Sequence, residues 1–317
     1  MLDITSSITE APFFDDVADA PDGTKAYWLT TEDGLRIRIG VFPGGDKGTI
    51  LLFPGRTEYI EKYGRAAREF AARGYTTVAV DWRGQGLGAR LLKDPNAGHV
   101  DHFPDYQNDV RAVMAAVKDL NVPKPLYLIG HSMGGCIGLR AVMEGLPVKA
   151  ATFTAPMWGI LVTPAMRPIA WSVSWLARHI GLGGKYTPGT EPVPYVMSAP
   201  FADNTLTRDR DMFDHMRSQL SQHPDLSLGG PSMQWLNEAL REIVRMSAAP
   251  APDLPTLCIL GSNERIVDPE RVKKRMEHWT KGELLIMPEA EHEVMMEREE
   301  IRNKVFDSAT ALFDANR

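Results

Sequence analysis

The sequence has too few cysteines for a fold that depends on disulfide bonds. Among its 317 residues only Cys136 and Cys258 are cysteines, and both lie in apolar runs, where a free thiol behaves as a small core residue. A chain of this length buries a large core without covalent cross-links. We therefore expect both thiols to be free, in a reducing compartment.

The chain also lacks an excess of positive charge. It has 35 Lys and Arg residues against 41 Asp and Glu residues, a formal net charge of −6. General nucleic-acid binding requires a basic face, and a polybasic membrane anchor requires clustered Lys and Arg, so we expect neither. Hydrophobic residues make up 44% and charged residues 24%, which is typical of a globular chain and excludes a disordered one.

No apolar run is long enough for a membrane span. The longest uncharged stretch, between Lys149 and Arg167, is interrupted by Pro156 and Pro164, whereas a span needs about 20 apolar residues. The N-terminus is acidic and has neither the basic nor the apolar segment of a secretory signal. We expect a cytoplasmic protein whose contact with a membrane, where it occurs, is peripheral and on the inner face.

Short apolar runs alternate with helical periods from residue 26 onward. The strand-like segments are 26–31, 35–42, 49–53, 75–80, 125–129, 150–153, 256–260 and 283–287. The helical segments between them are 60–73, 105–120, 133–144, 269–279 and 298–313. Wholly apolar strands are typical of a parallel sheet covered by helices on both faces. The pattern predicts an α/β fold with a doubly wound, mostly parallel sheet.

One segment interrupts this alternation. Residues 157–250 contain no apolar strand signal and have helical periods at 170–179, 209–222 and 232–246. This stretch is too long for a bare loop and must pack as a unit of its own. We predict a core made of residues 1–156 and 251–317, with residues 157–250 inserted as a helical cap.

The sharpest local motif is Gly130-His131-Ser132-Met133-Gly134, which follows an apolar strand and opens a helix. At such a turn a G-x-S-x-G pattern lifts the serine hydroxyl above the sheet edge, and the glycines allow close backbone approach. The helix N-terminus supplies an N–H and a partial positive charge where an oxyanion would form. The motif predicts that Ser132 is a nucleophile.

A nucleophilic serine requires a base, and the base requires an acid that orients it. Of the eight histidines, His292 follows the last apolar strand and precedes the last helix, so it belongs at the same sheet edge as Ser132. Two acids follow the preceding strand. We assign Glu264 to the triad, with Asp268 as the alternative, because Asp268 precedes Pro269 and resembles a helix N-cap.

The loop after the strand at 49–53 should supply part of an oxyanion hole. Gly55 lets the backbone turn toward the serine, and the N–H of Arg56 pairs with that of Met133 as our candidate donors. The Arg56 side chain has two interpretations, an ion pair with Glu58 or contact with an anionic group of a substrate such as phosphate. No metal or cofactor is needed. His99-Val100-Asp101-His102 lacks a second ligand cluster, so we interpret it as a loop feature.

These motifs resemble the α/β-hydrolase superfamily, and within it the group of monoacylglycerol lipases and bacterial lysophospholipases. The resemblance runs from about residue 26 to the C-terminus. It is carried by FPGRTEYIEKYG, DWRGQGLGARLL, GHVDHFPDY, LIGHSMGG, LGSNERIVD and AEHEVMMERE. Two departures stand out, since monoacylglycerol lipases usually carry His-Gly where this chain has Pro54-Gly55, and the family most often has Asp where this chain has Glu264.

The resemblance implies an α/β-hydrolase fold, Ser132 as nucleophile, His292 as base and Glu264 as acid, with a cap over the serine. It implies hydrolysis of a small acyl ester or lysolipid, without a cofactor. We expect an apolar acyl pocket lined by Met and Trp residues from 157–178, and peripheral membrane contact through the cap. The alternatives are a general carboxylesterase or other serine α/β-hydrolase, and a non-catalytic ligand-binding protein on the same scaffold.

Overall fold

The computed structural model describes residues 8–163 and 165–317, so Pro164 and the first seven residues lie outside it. Nine strands form one sheet in the order β1-β2-β3-β5-β4-β6-β7-β8-β9. The strands are β1 Thr9–Ala11, β2 Lys25–Thr30, β3 Arg36–Phe42, β4 Thr49–Phe53, β5 Thr76–Asp81, β6 Leu126–His131, β7 Ala151–Thr154, β8 Thr256–Gly261 and β9 Gly282–Met287.

Ten α-helices lie in the described residues. They are α1 Asp15–Ala18, α2 Gly64–Ala72, α3 Tyr106–Asp119, α4 Met133–Met143, α5 Arg167–His179, α6 Tyr195–Ser198, α7 Arg210–Gln222, α8 Met233–Ala248, α9 Pro269–Met276 and α10 Glu299–Asp314. Short 3-10 turns precede two of them, Ile60–Tyr63 before α2 and Phe103–Asp105 before α3. Two more lie at Pro224–Leu226 and Val294–Met296.

The sheet is parallel where the apolar runs predict it. All residues of β4, β5, β6, β7 and β8 are buried, and the pairs from β5 through β4 to β9 are parallel. The first three strands and the β3–β5 pair are antiparallel. The predicted α/β class with a doubly wound, mostly parallel sheet is confirmed.

The parallel strands bring distant parts of the chain to one edge. The carboxyl ends of β4, β6, β8 and β9 lie at the same side of the sheet, and each is followed by one of the predicted site segments. In open α/β sheets, ligands bind outside these carboxyl ends. Topology alone therefore assembles the loops that carry Arg56, Ser132, Glu264 and His292.

The segment between β7 and β8 is helical in its described part. It contains α5 to α8, and no strand lies among its described residues. Helix α5 packs against α8, and the Oγ of Ser174 on α5 accepts a hydrogen bond from Asn237 of α8 at 3.2 Å. The division into a core of 1–156 and 251–317 and a cap of 157–250 stays a prediction. Within the described residues, no helix combines the length and the apolar character needed to cross a membrane.

Candidate active site

Ser132 occupies a strained backbone position between β6 and α4. Its φ of 50° and ψ of −116° lie in a region that residues with a side chain rarely adopt. The strain is sustained by hydrogen bonds on both sides, because the Ser132 N–H donates to Thr154 O at 3.0 Å and its carbonyl accepts from Gly135 and Met157. This is the conformation that the strand-to-helix motif predicts for an exposed serine hydroxyl.

The glycine that ends the motif makes the turn sterically feasible. A Cβ on Gly134 would lie 1.9 Å from the carbonyl oxygen of Phe53 at the end of β4. Only glycine lets α4 approach β4 this closely. Met133, the first residue of α4, consequently lies with its backbone N–H at the helix N-terminus, next to Ser132.

His292 and Glu264 form a hydrogen-bonded pair beside this turn. The Nδ1 of His292 lies 2.7 Å from Oε2 of Glu264, and both side chains are buried. The other oxygen of Glu264 accepts hydrogen bonds from the N–H groups of Ile266 and Val267. Although burial opposes ionisation, His292 and these two N–H groups lower the pKa of Glu264 below its usual range. The pair is therefore a carboxylate beside an imidazole.

The competing acid has a different position. Asp268 caps α9, where its side chain accepts hydrogen bonds from the N–H groups of Glu270 and Arg271, and Pro269 is the first helical residue. Its second oxygen lies 2.9 Å from Arg167. The contact with His292 is thus made by Glu264, while Asp268 has the N-cap role that its sequence position indicates.

The loop after β4 reaches the serine from the other side. A Cβ on Gly55 would lie 3.0 Å from the Cβ of Ser132, so only a glycine fits without displacement. The Gly55 N–H donates to the carboxylate of Glu58, which fixes the turn that carries the Arg56 backbone. The predicted ion pair between Arg56 and Glu58 is wrong for the described structure, because Nη1 of Arg56 donates to Gly229 O at 2.8 Å.

Four buried charged side chains lie behind this loop, and sequence reasoning missed them as a group. Lys62 contacts both Glu58 and Glu293 at 2.6 Å, and the Nε2 of His131 lies 3.3 Å from Glu293 and 3.5 Å from Glu58. We call Glu58, Lys62, His131 and Glu293 the buried quartet. The imidazole ring centroids of His131 and His292 are 4.9 Å apart. The sequence did contain a signal for this group, because the charged residues 58, 62 and 293 lie next to the predicted oxyanion loop and next to His292.

Mutual pairing sets the ionisation of the quartet. Burial opposes charge on Glu293, yet Lys62 and His131 hold its pKa well below the usual range. Burial likewise opposes charge on His131, but Glu293 and Glu58 raise its pKa. Ligand atoms of Glu58, His131 and Glu293 lie within 4.8 Å of one another, a spacing compatible with a metal ion. The Lys62 ammonium, however, already contacts both carboxylates at 2.6 Å, in the space that such an ion would use.

Ser132, His292 and Arg56 line a single cavity of about 420 Å³, within the range of about 300–1,000 Å³ usual for ligand pockets. Most of its wall is apolar. The aliphatic and methionine side chains of this wall are Met157, Ile160, Val196, Leu206, Met216, Leu220, Leu236, Ile266 and Val267. The indole of Trp235, on α8, also lines this cavity. The arrangement places the strained Ser132 and the imidazole of His292, which contacts the buried Glu264 carboxylate, in the wall of one apolar pocket.

The lining differs from the expected one. Of the Met and Trp residues between 157 and 178, Met157 lines the cavity, whereas Trp158 is buried against Phe153 and stacks on Trp279. Met166 and Trp175 are about half exposed to solvent. The pocket instead takes its apolar wall from α7, α8 and the α6 region. Apart from Met157, the expectation was wrong for these residues, because composition does not indicate which side chains of a segment point inward.

The interpretation of His99 and His102 as loop residues agrees with their contacts. His99 bonds through Nδ1 to the hydroxyl of Ser232 at 2.8 Å and through Nε2 to Asp101. His102 is largely exposed and 3.9 Å from Glu238. Through its contact with Ser232, His99 connects its loop to the N-terminus of α8.

Comparison with known proteins gives the chain a family. The family model described as serine aminopeptidase, S33 matches residues 44–299. Lysophospholipase L2 of Escherichia coli is 28% identical over 274 residues, which cover 84% of this chain and 80% of that protein. A probable lysophospholipase L2 of Haemophilus influenzae is 27% identical over 82% of this chain and 81% of its own length.

Solved structures share the fold at lower identity. A soluble variant of monoglyceride lipase from Saccharomyces cerevisiae superposes with a TM-score of 0.68 at 20% identity, covering 98% of this chain and 96% of that one. A carboxyl esterase from Bacillus coagulans gives 0.72 at 13% identity, over 92% and 98% of the two chains. The chain therefore belongs to the serine aminopeptidase S33 family, in the lysophospholipase and monoacylglycerol lipase group of α/β-hydrolases, and is a carboxylic-ester hydrolase.

Proposed function

We propose that this protein hydrolyses single-chain lipid esters, as a lysophospholipase or monoacylglycerol lipase, through a Ser132–His292–Glu264 triad and an acyl-enzyme. The single observation that carries the proposal is the buried hydrogen bond of 2.7 Å between Glu264 and His292, because His292 lines the same apolar cavity as Ser132. A carboxylate on Nδ1 leaves Nε2 of the imidazole free to act as a base.

The chemistry uses groups of this chain alone. Ser132 attacks the ester carbonyl while His292 takes the hydroxyl proton, and the oxyanion binds the N–H groups of Arg56 and Met133. His292 then protonates the leaving alcohol, which departs and leaves the acyl group on Ser132. Water, deprotonated by His292, attacks that ester, and His292 returns the proton to the Ser132 Oγ as the fatty acid departs and the free serine is restored. Glu264 stabilises the imidazolium in both halves of the reaction.

The substrate assignment follows from the wall of the cavity. Its apolar side chains exclude water and suit an acyl chain, whereas a short ester would leave most of them uncovered. The relatives named as lysophospholipases and the fungal monoglyceride lipase support the same class. The family name mentions aminopeptidases, which must bind a substrate amine. Both carboxylates in the cavity wall, Glu58 and Glu293, already contact Lys62, which disfavours that activity.

Covalent labelling tests the nucleophile. A fluorophosphonate probe is expected to label the wild type at Ser132, and Ser132→Ala is expected to lose labelling and about 10⁶-fold in kcat. Ser262, which follows β8 outside the apolar cavity, offers a matched control: Ser262→Ala should retain both. An unlabelled wild type, or labelling that persists in Ser132→Ala, would support the non-catalytic ligand-binding alternative.

An acyl-length series tests the substrate class. We expect kcat/KM for glycerol monoesters to rise from acetate to medium-length chains, because each methylene buried in the cavity adds about 0.8 kcal/mol. A flat or falling profile beyond acetate would instead favour the general carboxylesterase. An aminoacyl anilide included in the series reports aminopeptidase activity, which we expect to be absent.

We further propose that helix α5 of the cap makes peripheral contact with a membrane, at the inner face if the protein is cytoplasmic. Ile169, Val173, Leu176 and Ile180 recur at helical spacing, and each exposes more than 40% of its surface. Ser174 and Ala177 on the opposite side of α5 are buried, so the apolar face points outward. A stripe of this kind can enter the lipid interface.

Vesicle sedimentation tests the contact. Wild-type protein is expected to sediment with phosphatidylglycerol–phosphatidylcholine vesicles, and the double variant Ile169→Ser, Ile180→Ser to bind at least about tenfold more weakly, since each buried aliphatic side chain contributes about 1.5–3 kcal/mol. Val244→Ser, which changes a half-exposed residue of α8, is the control. Equal binding by all three proteins would contradict the contact.

A further inference from the structure

The side chain of Arg56 is a charged group in the cavity that the proposed hydrolysis does not use. Its backbone N–H belongs to the loop beside Ser132, while its guanidinium extends along the cavity wall toward the residues after α7. There Nη1 donates to Gly229 O at 2.8 Å, and the guanidinium carbon lies 5.6 Å from the ring centre of Trp235. The cation therefore lies in the cavity wall, beside Gly229 and the Trp235 ring.

The Arg56 guanidinium has no ion-pair partner among the described residues. The two carboxylates in the cavity wall, Glu58 and Glu293, contact Lys62, and within the described residues no Asp or Glu forms an ion pair with Arg56. Burial lowers the pKa of Arg56 to about 10, so it is still protonated at neutral pH. A charge that is partly removed from water and neither paired nor fully hydrogen-bonded is costly to maintain. In the cavity wall, Arg56 is thus the cation that no carboxylate contacts, whereas Lys62 contacts both Glu58 and Glu293.

We propose that Arg56 binds the phosphodiester of a lysophospholipid, which makes that class, rather than monoacylglycerol, the preferred substrate. The inference rests on the proposed function. The guanidinium fork matches two phosphate oxygens, and a charge-assisted bond of this kind is about twice as strong as a neutral one. Arg56 then contacts the substrate at two points. Its backbone N–H binds the oxygen of the ester carbonyl, and its side chain binds the phosphodiester on the other side of the glycerol linker.

A purely structural role for Arg56 would give a different result. Its bond to Gly229 could serve only to fasten the segment after α7 to the core, in which case removing it would slow all substrates alike. Arg90 provides the comparison. It donates to the carbonyls of Asp225 and Ser227 in the same segment, burial lowers its pKa too, and it lies outside the cavity wall.

The experiment compares two substrates with the same short acyl chain, lysophosphatidylcholine and monoacylglycerol, below the concentrations at which they form micelles. The readout is the ratio of their kcat/KM values. Arg56→Met is expected to lower this ratio about 10–100-fold, because it removes a hydrogen bond to a charged group. Arg56→Lys, which keeps the charge but not the fork, should recover part of the loss. Arg90→Met should leave the ratio at the wild-type value.

A third substrate shows which part of the head group is bound. Lysophosphatidylglycerol has the same phosphodiester without a choline cation, and its ratio to monoacylglycerol should fall equally in Arg56→Met. A ratio within twofold of wild type in Arg56→Met, or an equal fall in Arg90→Met, would overturn the inference. If wild type hydrolyses both lipids in that case, the proposed function stands. If the wild type hydrolyses neither lipid and does not react with the fluorophosphonate probe, the proposed function itself is wrong, and the inference about Arg56 falls with it.

Discussion

Glu264 uses its two carboxylate oxygens for different partners. One contacts Nδ1 of His292, and the other accepts the N–H groups of Ile266 and Val267. The backbone bonds hold the longer glutamate side chain in one orientation, so the extra methylene relative to aspartate adds no freedom. A glutamate can therefore serve where aspartate is more usual in this family, because the loop after β8 anchors it.

Exchange of each acid for its amide distinguishes Glu264 from Asp268. Glu264→Gln is expected to lower kcat about 10⁴-fold, because an amide neither stabilises the imidazolium nor holds the required tautomer. Asp268→Asn is expected to retain activity within a few-fold, since asparagine caps a helix as well as aspartate does. Steady-state kinetics with one ester measures both, and circular dichroism checks that both variants fold. A larger loss in Asp268→Asn would reverse the assignment.

For individual residues, the sequence predicted the site positions that a local motif or the end of a strand defines. Ser132 has a strand before it and a helix after it, and His292 and Glu264 each follow a strand whose position in the sheet is set by topology. The partner of the Arg56 side chain was not predictable in this way. Gly229 is 173 residues away and offers a backbone carbonyl, which has no signature in the sequence.

The buried quartet connects four separate elements around the site. Glu58 belongs to the loop after β4, Lys62 to the 3-10 turn before α2, His131 to the end of β6 and Glu293 to the loop after β9. Glu58 also accepts from the Gly55 N–H and the Tyr63 hydroxyl. The quartet therefore fixes the glycine turn beside Ser132 relative to the loop that carries His292.

Lys62→Met is expected to destabilise the fold by about 3–5 kcal/mol at pH 7, because it leaves two buried carboxylates without their cation. Lys47→Met is the matched control. Lys47 pairs with Asp314 at the surface, with both side chains more than a third exposed, and its loss should cost less than about 1 kcal/mol. Urea unfolding at constant pH measures both free energies. Equal, small losses would show that the quartet contributes little.

Acid should reduce the difference between Lys62→Met and the wild type. The pKa of Glu293 is held well below its usual range in the folded protein, so its ionisation stabilises the fold above about pH 4.3, the ordinary glutamate value. That contribution is lost as pH falls through the lower, folded-state pKa. In Lys62→Met, Glu293 loses the cation that favours its ionisation, so it takes up a proton more readily than in the wild type. The difference between the two unfolding curves should therefore shrink from pH 7 to pH 4.

The elements themselves followed from the sequence wherever burial imposes a pattern. The apolar runs predicted β2 to β9, and the helical periods predicted all helices longer than eight residues together with α9. Strand β1 was missed, because its Thr9–Ala11 segment is only three residues long and largely exposed at the sheet edge. Helices α1 and α6 are one turn long, and such turns carry no amphipathic period.

At the scale of the whole molecule, the apolar cavity was expected but its wall was not. Its lining comes from α6, α7 and α8 of the insertion together with loops of the sheet, so it depends on how the insertion packs as a unit. Trp158 illustrates the difficulty. It directly follows Met157, which lines the cavity, but it turns away to stack on Trp279 beneath the sheet. Adjacent residues in an irregular segment face different environments, and composition cannot separate them.

The separation of β7 from β8 also affects how the chain is synthesised. The two strands pair directly, yet about 100 residues lie between them. At a synthesis rate of about 5–20 residues per second, those residues take about 5–20 s to emerge, and for that time the edge of β7 has no partner. A buried strand whose edge is left unpaired is a site for aggregation. The nascent protein must therefore keep this edge covered, by a chaperone or by the emerging helices, until β8 arrives.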